Sequence, residues 1–120
     1  MLGFKLFGSG LNDLQVSAIG NDVNSGVSAA GTDQAGATEL TNCLNSVTTV
    51  AASSGVRLYA GSAGDWQLVY NAGANPLKVY PPTSAQINGL TANLPHTLAV
   101  RTGCLFFFLS STQVVGVLSA

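Results

Sequence analysis

Short apolar runs separated by turn-forming residues fill the second half of the chain. Runs of about four to eight residues that are rich in β-branched or aromatic side chains and bounded by Gly, Pro or Asn are typical of β-strands. Runs of this kind lie at 47–51, 56–59, 66–70, 77–80, 94–100, 104–109 and 114–118. The pattern predicts an all-β fold, with a single β-sandwich or jelly-roll-like domain over residues 36–120.

Two parts of this pattern predict how the strands are arranged. The runs 66–70 and 77–80 flank a short glycine-containing segment, which favours a β-hairpin. The run 104–109 is apolar at every position. Such a strand would be an aggregation hazard at an edge, so we predict a central strand with both faces covered. The N-terminal segment or a neighbouring subunit would cover its outer face.

Residues 1–35 have a different composition, and we predict an extended N-terminal arm. Residues 20–36 are rich in Gly, Ser, Ala, Asn and Asp, and such a segment buries too little apolar surface to offset its ordering entropy. Apolar residues before it either cover an edge of the chain's own core or dock on a partner. The residues that would dock are Leu2, Phe4, Leu6, Phe7, Leu11 and Leu14.

Charge is scarce along the whole chain. Nine of the 120 residues are charged, whereas an ordinary soluble domain has roughly a quarter. A surface of Ser, Thr, Asn and Gly resists association weakly, so we predict a homo-oligomeric subunit. The scattered cations Lys5, Arg57, Lys78 and Arg101 form no basic stripe for direct nucleic-acid binding. No apolar run approaches the roughly 20 residues of a membrane span.

Candidate catalytic groups are few. The chain has one histidine, His96, five isolated carboxylates, and two distant cysteines, Cys43 and Cys104. No Ser nucleophile motif, zinc-ligand spacing, calcium loop or complete phosphate-binding loop occurs. We therefore predict a protein that is not an enzyme and that has no catalytic residues, cofactor or metal site. Buried free thiols are favoured over a disulfide.

Aromatic side chains leave two interpretations open. On a sheet surface they could stack on sugar rings, as in a carbohydrate-binding module. At a subunit interface they would act as anchors, and few charged partners for a sugar accompany them, which favours the interface. The predicted interface residues are Tyr59, Trp66, Tyr80 and Phe107.

Several segments resemble small virion proteins of tailed bacteriophages. The longest is Val-Tyr-Asn-Ala-Gly-Ala-Asn-Pro-Leu-Lys-Val-Tyr-Pro-Pro at 69–82. Further matching segments are Leu-Asn-Ser-Val-Thr-Thr-Val-Ala-Ala at 44–52, Gly-Val-Arg-Leu at 55–58, Ile-Asn-Gly-Leu at 87–90 and Val-Leu-Ser-Ala at 117–120. The resemblance covers roughly residues 36–120 and does not extend to the arm.

This resemblance implies a structural virion protein that decorates and cements the outer surface of a phage capsid. Its partners would be the major capsid protein and further copies of itself, forming a homotrimer. It would be synthesised in the host cytoplasm and located on the capsid exterior. The alternative is a virion-displayed receptor- or carbohydrate-binding module, such as a fibre or spike component. Neither function supplies catalytic residues that could be assigned to this chain.

Overall fold

The structure is a computed structural model that describes residues 22–119, and its secondary structure consists of ten β-strands without a helix in that range. The predicted all-β class is confirmed. The strands are β1 (Val23–Ser28), β2 (Thr38–Glu39), β3 (Leu44–Thr49), β4 (Gly55–Arg57), β5 (Trp66–Asn71), β6 (Leu77–Tyr80), β7 (Gln86–Ile87), β8 (His96–Leu98), β9 (Gly103–Ser110) and β10 (Gln113–Leu118).

The first six strands alternate between two sheets. One sheet has the order β1-β3-β5-β9-β10-β7 and the other the order β2-β4-β6-β8. Within each sheet the successive strands from β1 to β6 are parallel, and Leu44 pairs with Leu68 while Val56 pairs with Val79. The chain therefore forms successive coils, each with one strand in either sheet, and the strands of neighbouring coils are parallel. A jelly roll, in contrast, is built from antiparallel strands. The structure thus confirms the all-β class but does not confirm the predicted sandwich or jelly-roll-like arrangement of the strands.

The predicted hairpin is wrong, because β5 and β6 lie in different sheets. Residues 71–75 form an arch between the sheets. At its start the buried Asn71 side chain donates from Nδ2 to the carbonyls of Asn75, at 2.9 Å, and Leu98, at 3.1 Å. Its Oδ1 accepts from the Gly73 amide at 3.0 Å. These bonds satisfy the Gly73 amide and the Asn75 carbonyl of the arch and connect the arch to the end of β8.

The strands after β6 pair mostly in antiparallel fashion, and only the short β7 is parallel to its neighbour β10. Strand β9 pairs with β5 on one side and with β10 on the other, and β8 pairs with β6. The position of β9 between two neighbours confirms the prediction that 104–109 is a central strand. Its inward side chains, Cys104, Phe106 and Phe108, are buried in a core to which both sheets contribute.

The sheets begin earlier in the sequence than the predicted boundary at residue 36. Strand β1 pairs with β3 along most of its length, and Val27 is buried in the core. Residues 23–28 are therefore part of the body and not of an arm. A small, polar strand is stable here because a neighbouring coil supplies its backbone hydrogen bonds, so it needs to bury little apolar surface of its own.

A second buried amide connects the segments that link the coils. Gln67 is fully buried, and its Nε2 donates to the carbonyls of Leu40, at 3.0 Å, and Asn42, at 2.9 Å. Its Oε1 accepts from the Tyr59 amide at 3.2 Å. One side chain on β5 thus holds the segment before β3 and the segment after β4 against the same strand.

Candidate interaction surface

The outward face of the six-stranded sheet carries an apolar row that crosses five strands. Strand pairing places Val23, Leu44, Leu68, Leu105 and Val117 side by side, from β1 to β10. These positions face away from the core, since burial alternates along the strands: in β9 the even-numbered residues from 104 to 108 are buried and the odd-numbered ones between them are not.

A second row lies one pleat further along the same face. Trp66 of β5 is paired with Phe107 of β9, and Phe107 is paired with Val115 of β10. Tyr70 near the end of β5 and Leu109 near the end of β9 point to the same side of the sheet. Each lies an even number of residues from Trp66 or Phe107 on its own strand, and side chains alternate between the two faces of a strand. We call this surface the outer apolar face. Its ten residues are Val23, Leu44, Trp66, Leu68, Tyr70, Leu105, Phe107, Leu109, Val115 and Val117.

Much of the outer apolar face is open to solvent in a single chain. Leu109, Val117 and Val23 are 65%, 57% and 54% exposed, and Tyr70 and Phe107 are 39% and 38% exposed. Singly scattered apolar residues are normal on a surface, but a contiguous patch of this kind marks an interaction site or an aggregation hazard.

The face also lacks charge. None of its residues, nor any other residue of β1, β3, β5, β9 or β10, is Asp, Glu, Lys or Arg. Two cations, Arg57 and Lys78, belong to the four-stranded sheet, where Arg57 Nη2 lies 3.3 Å from Glu39 Oε2. The two sheets therefore present different surfaces, and only the six-stranded one is both apolar and uncharged over several strands.

Two of the four predicted interface residues lie on this face, since Trp66 and Phe107 are strand partners there. Tyr59 lies elsewhere: it is half-buried, its ring centroid is 5.8 Å from that of Phe108, and burial, helped by Asp65, raises its pKa to about 12. Tyr80 is only 6% exposed, so it belongs to the core and not to a surface of this chain.

Sequence reasoning missed most of the outer apolar face. The predicted interface set contains only aromatic residues, so it omits the aliphatic members of this face, among them Leu105, Val115 and Val117. The signal that finds them is the absence of polar alternation in 104–109 and 114–118. The predicted capsid-docking residues Leu2, Phe4, Leu6, Phe7, Leu11 and Leu14 all lie outside the described residues.

The potentially reactive groups include His96, Cys104 and Cys43, and burial, helped by the neighbouring Asp22 and by Asp65, raises the pKa of the Cys43 thiol. His96 Nε2 is buried without a hydrogen-bond partner, the ring meets Phe106 edge-on with 6.1 Å between ring centroids, and burial lowers the pKa of the imidazole. Burial raises the pKa of the Cys104 thiol to about 11. Both Cys104 and Cys43 are free thiols. Between residues 22 and 119 no group of three His, Cys, Asp or Glu residues could hold a metal ion.

An open groove of about 450 Å³ lies beside the Arg57–Glu39 ion pair. Its other lining residues are Leu58, Ala60, Gly61, Pro82, Thr83, Ser111 and Thr112. No aromatic ring lines it among the described residues, so it lacks the stacking platform that a sugar site usually has. Its two charged side chains already neutralise each other, which leaves little to attract a charged ligand.

The fold and this surface define a class of protein, an all-β body of coiled sheets whose distinctive feature is an uncharged apolar sheet face. Comparison with models of known protein families, with curated proteins and with solved structures finds no match. Over residues 22–119 no helix is long and apolar enough to cross a membrane.

Proposed function

We propose that this chain is a structural virion protein that decorates and cements the outer surface of a tailed-phage capsid by bridging major capsid proteins. The observation that carries the proposal is the outer apolar face, a large surface without charged residues on one side of the six-stranded sheet. Such a surface suits a permanently assembled subunit, since a freely diffusing protein would be prone to aggregate through it.

The proposed fold is a short β-solenoid of parallel coils, closed at one end by the antiparallel strands β8, β9 and β10. A stack of coils joined by buried amides is a stiff body. That stiffness suits a protein that holds neighbouring capsid subunits at a fixed spacing, because a rigid body loses little entropy when it binds.

In this proposal the N-terminal segment makes the capsid contact and the body holds the copies together. Burying roughly 1,000 Å² or more per subunit would stabilise a capsid junction, and an oligomer with several such segments would gain further affinity through avidity. The protein performs no chemistry; it acts by adding contacts on the capsid exterior.

We expect Phe4→Ser combined with Leu6→Ser in the full chain to weaken capsid binding by at least about 100-fold, since each buried side chain of this size contributes roughly 1.5–3 kcal/mol and 1.4 kcal/mol is tenfold in affinity. Sedimentation of the protein with empty capsids at graded concentrations measures the loss. Asn12→Ser with Gln15→Ser is the matched control, because it changes two polar residues of the same segment. Equal occupancy for the apolar variant and the control would contradict the role given to this segment.

A further inference from the structure

We infer that the outer apolar face is the surface through which copies of this chain associate with one another. The inference deepens the proposed function and rests on its claim that the protein works as an assembled subunit. It assigns that assembly to one side of one sheet, where Trp66 and Phe107 would be the aromatic anchors.

The first argument is area. The outer apolar face exposes about 600 Å² in a single chain, when side chains of these sizes are taken at roughly 100–250 Å² each. Most of this area comes from Val23, Tyr70, Phe107, Leu109 and Val117, and their half-buried neighbours on the face add the rest. Stable interfaces bury about 800 Å² per partner. The face is thus close to the size that one partner contributes, and it reaches the upper limit of what monomers leave exposed.

The second argument is chemical self-complementarity. A partner with charged residues at this contact would have to bury them unpaired, because the face offers no charge to pair with. A second copy brings the same uncharged, pleated, aromatic-containing surface and avoids that cost. Self-association also covers Leu105, Phe107 and Leu109, the half of the central strand β9 that the core does not cover.

The test introduces charge at the most exposed positions of the face. Leu109→Lys with Val117→Lys, in the full chain, should convert an oligomer into a monomer and raise the dissociation constant by at least 100-fold, as measured by sedimentation equilibrium. Both positions are more than half exposed, so the double variant should keep its circular dichroism spectrum. The matched control is Leu90→Lys with Leu94→Lys, which places the same charges on residues that are 39% and 49% exposed but lie outside the face, and it should keep the oligomer's mass.

Two outcomes would overturn the inference. A wild-type chain that is monomeric at 100 µM, or a face variant that keeps the wild-type mass, would each do so. In a monomeric wild type, a red shift of Trp66 emission caused by the two lysines would point to the chain's own N-terminal segment as the occupant of the face. All of these readouts use purified protein without capsids, and capsid binding is measured separately. A protein that is monomeric but still decorates capsids would therefore overturn this inference and leave the proposed function intact.

Discussion

Phe106→Ala is expected to lower the free energy of unfolding by about 3–5 kcal/mol, because a fully buried phenyl ring is lost and the cavity it leaves cannot collapse completely. Phe106 lies in the middle of β9, paired with Gln67 of β5 and Gly116 of β10. A rigid strand lies on each side, which limits relaxation into the cavity. Urea unfolding followed by circular dichroism measures the change.

The adjacent residue gives the control. Phe107 is 38% exposed, so Phe107→Ala should cost only about 1 kcal/mol within a single chain, by the area it buries there. Any further loss should depend on protein concentration, since it would come from self-association. If Phe107→Ala were the more damaging change in dilute protein, the inward and outward assignments of β9 would be reversed.

Gln67→Leu is expected to lower the free energy of unfolding by about 2 kcal/mol or more, although leucine is apolar and similar in size. The change leaves the Leu40 carbonyl and the Tyr59 amide without the partner they now have, whereas the Asn42 carbonyl keeps a bond from Asn45 Nδ2 at 2.8 Å. Each buried, unsatisfied backbone group costs roughly 1–3 kcal/mol. Chemical denaturation measures the loss, and faster amide exchange at Tyr59 should accompany it.

Gln113→Leu is the matched control for this prediction. Gln113 is exposed, and the structure gives its amide one bond, from Nε2 to Gln86 Oε1 at 3.2 Å. Loss of a single exposed bond should change stability by no more than about 0.5 kcal/mol. Equal effects at positions 67 and 113 would show that the buried amide does not hold the linking segments in place.

The strands could be predicted from the sequence because their boundaries depend on local chemistry. The runs at 66–70, 77–80 and 104–109 each lie within or nearly coincide with β5, β6 and β9. β-Branched and aromatic side chains favour extended backbone, and Pro81 and Pro82 cannot extend the hydrogen-bonded ladder of β6. The apolar character of 104–109 also indicated its central position, because an edge strand of that composition would aggregate.

The coiled topology could not be predicted in the same way. A short glycine-containing link suits a hairpin within one sheet as well as an arch between two, and the choice here depends on Asn71 bonding to Leu98, which lies 27 residues away. The coil repeat is also faint in the sequence. Leu44 and Leu68 share a register, but Leu-Asn-Ser-Val and Leu-Val-Tyr-Asn have only the first residue in common, because a coil needs matching inward volume more than matching residues.

The candidate surface was partly predictable for a related reason. Aromatic residue type alone predicts Trp66 and Phe107 as interface residues, and the structure pairs them across β5 and β9. The same criterion also predicts Tyr80, which is buried, because residue type does not reveal which way a strand residue points when both neighbours are apolar. Only the register across β5, β9 and β10 shows which side chains share a face.

The most direct test of the proposed function is whether the purified full-length protein binds expanded empty capsids of a tailed phage and raises their melting temperature. We predict saturable binding at a fixed number of copies per capsid and a higher melting temperature at saturation. Absence of binding at micromolar protein, or binding without any change in melting temperature, would contradict the cementing role.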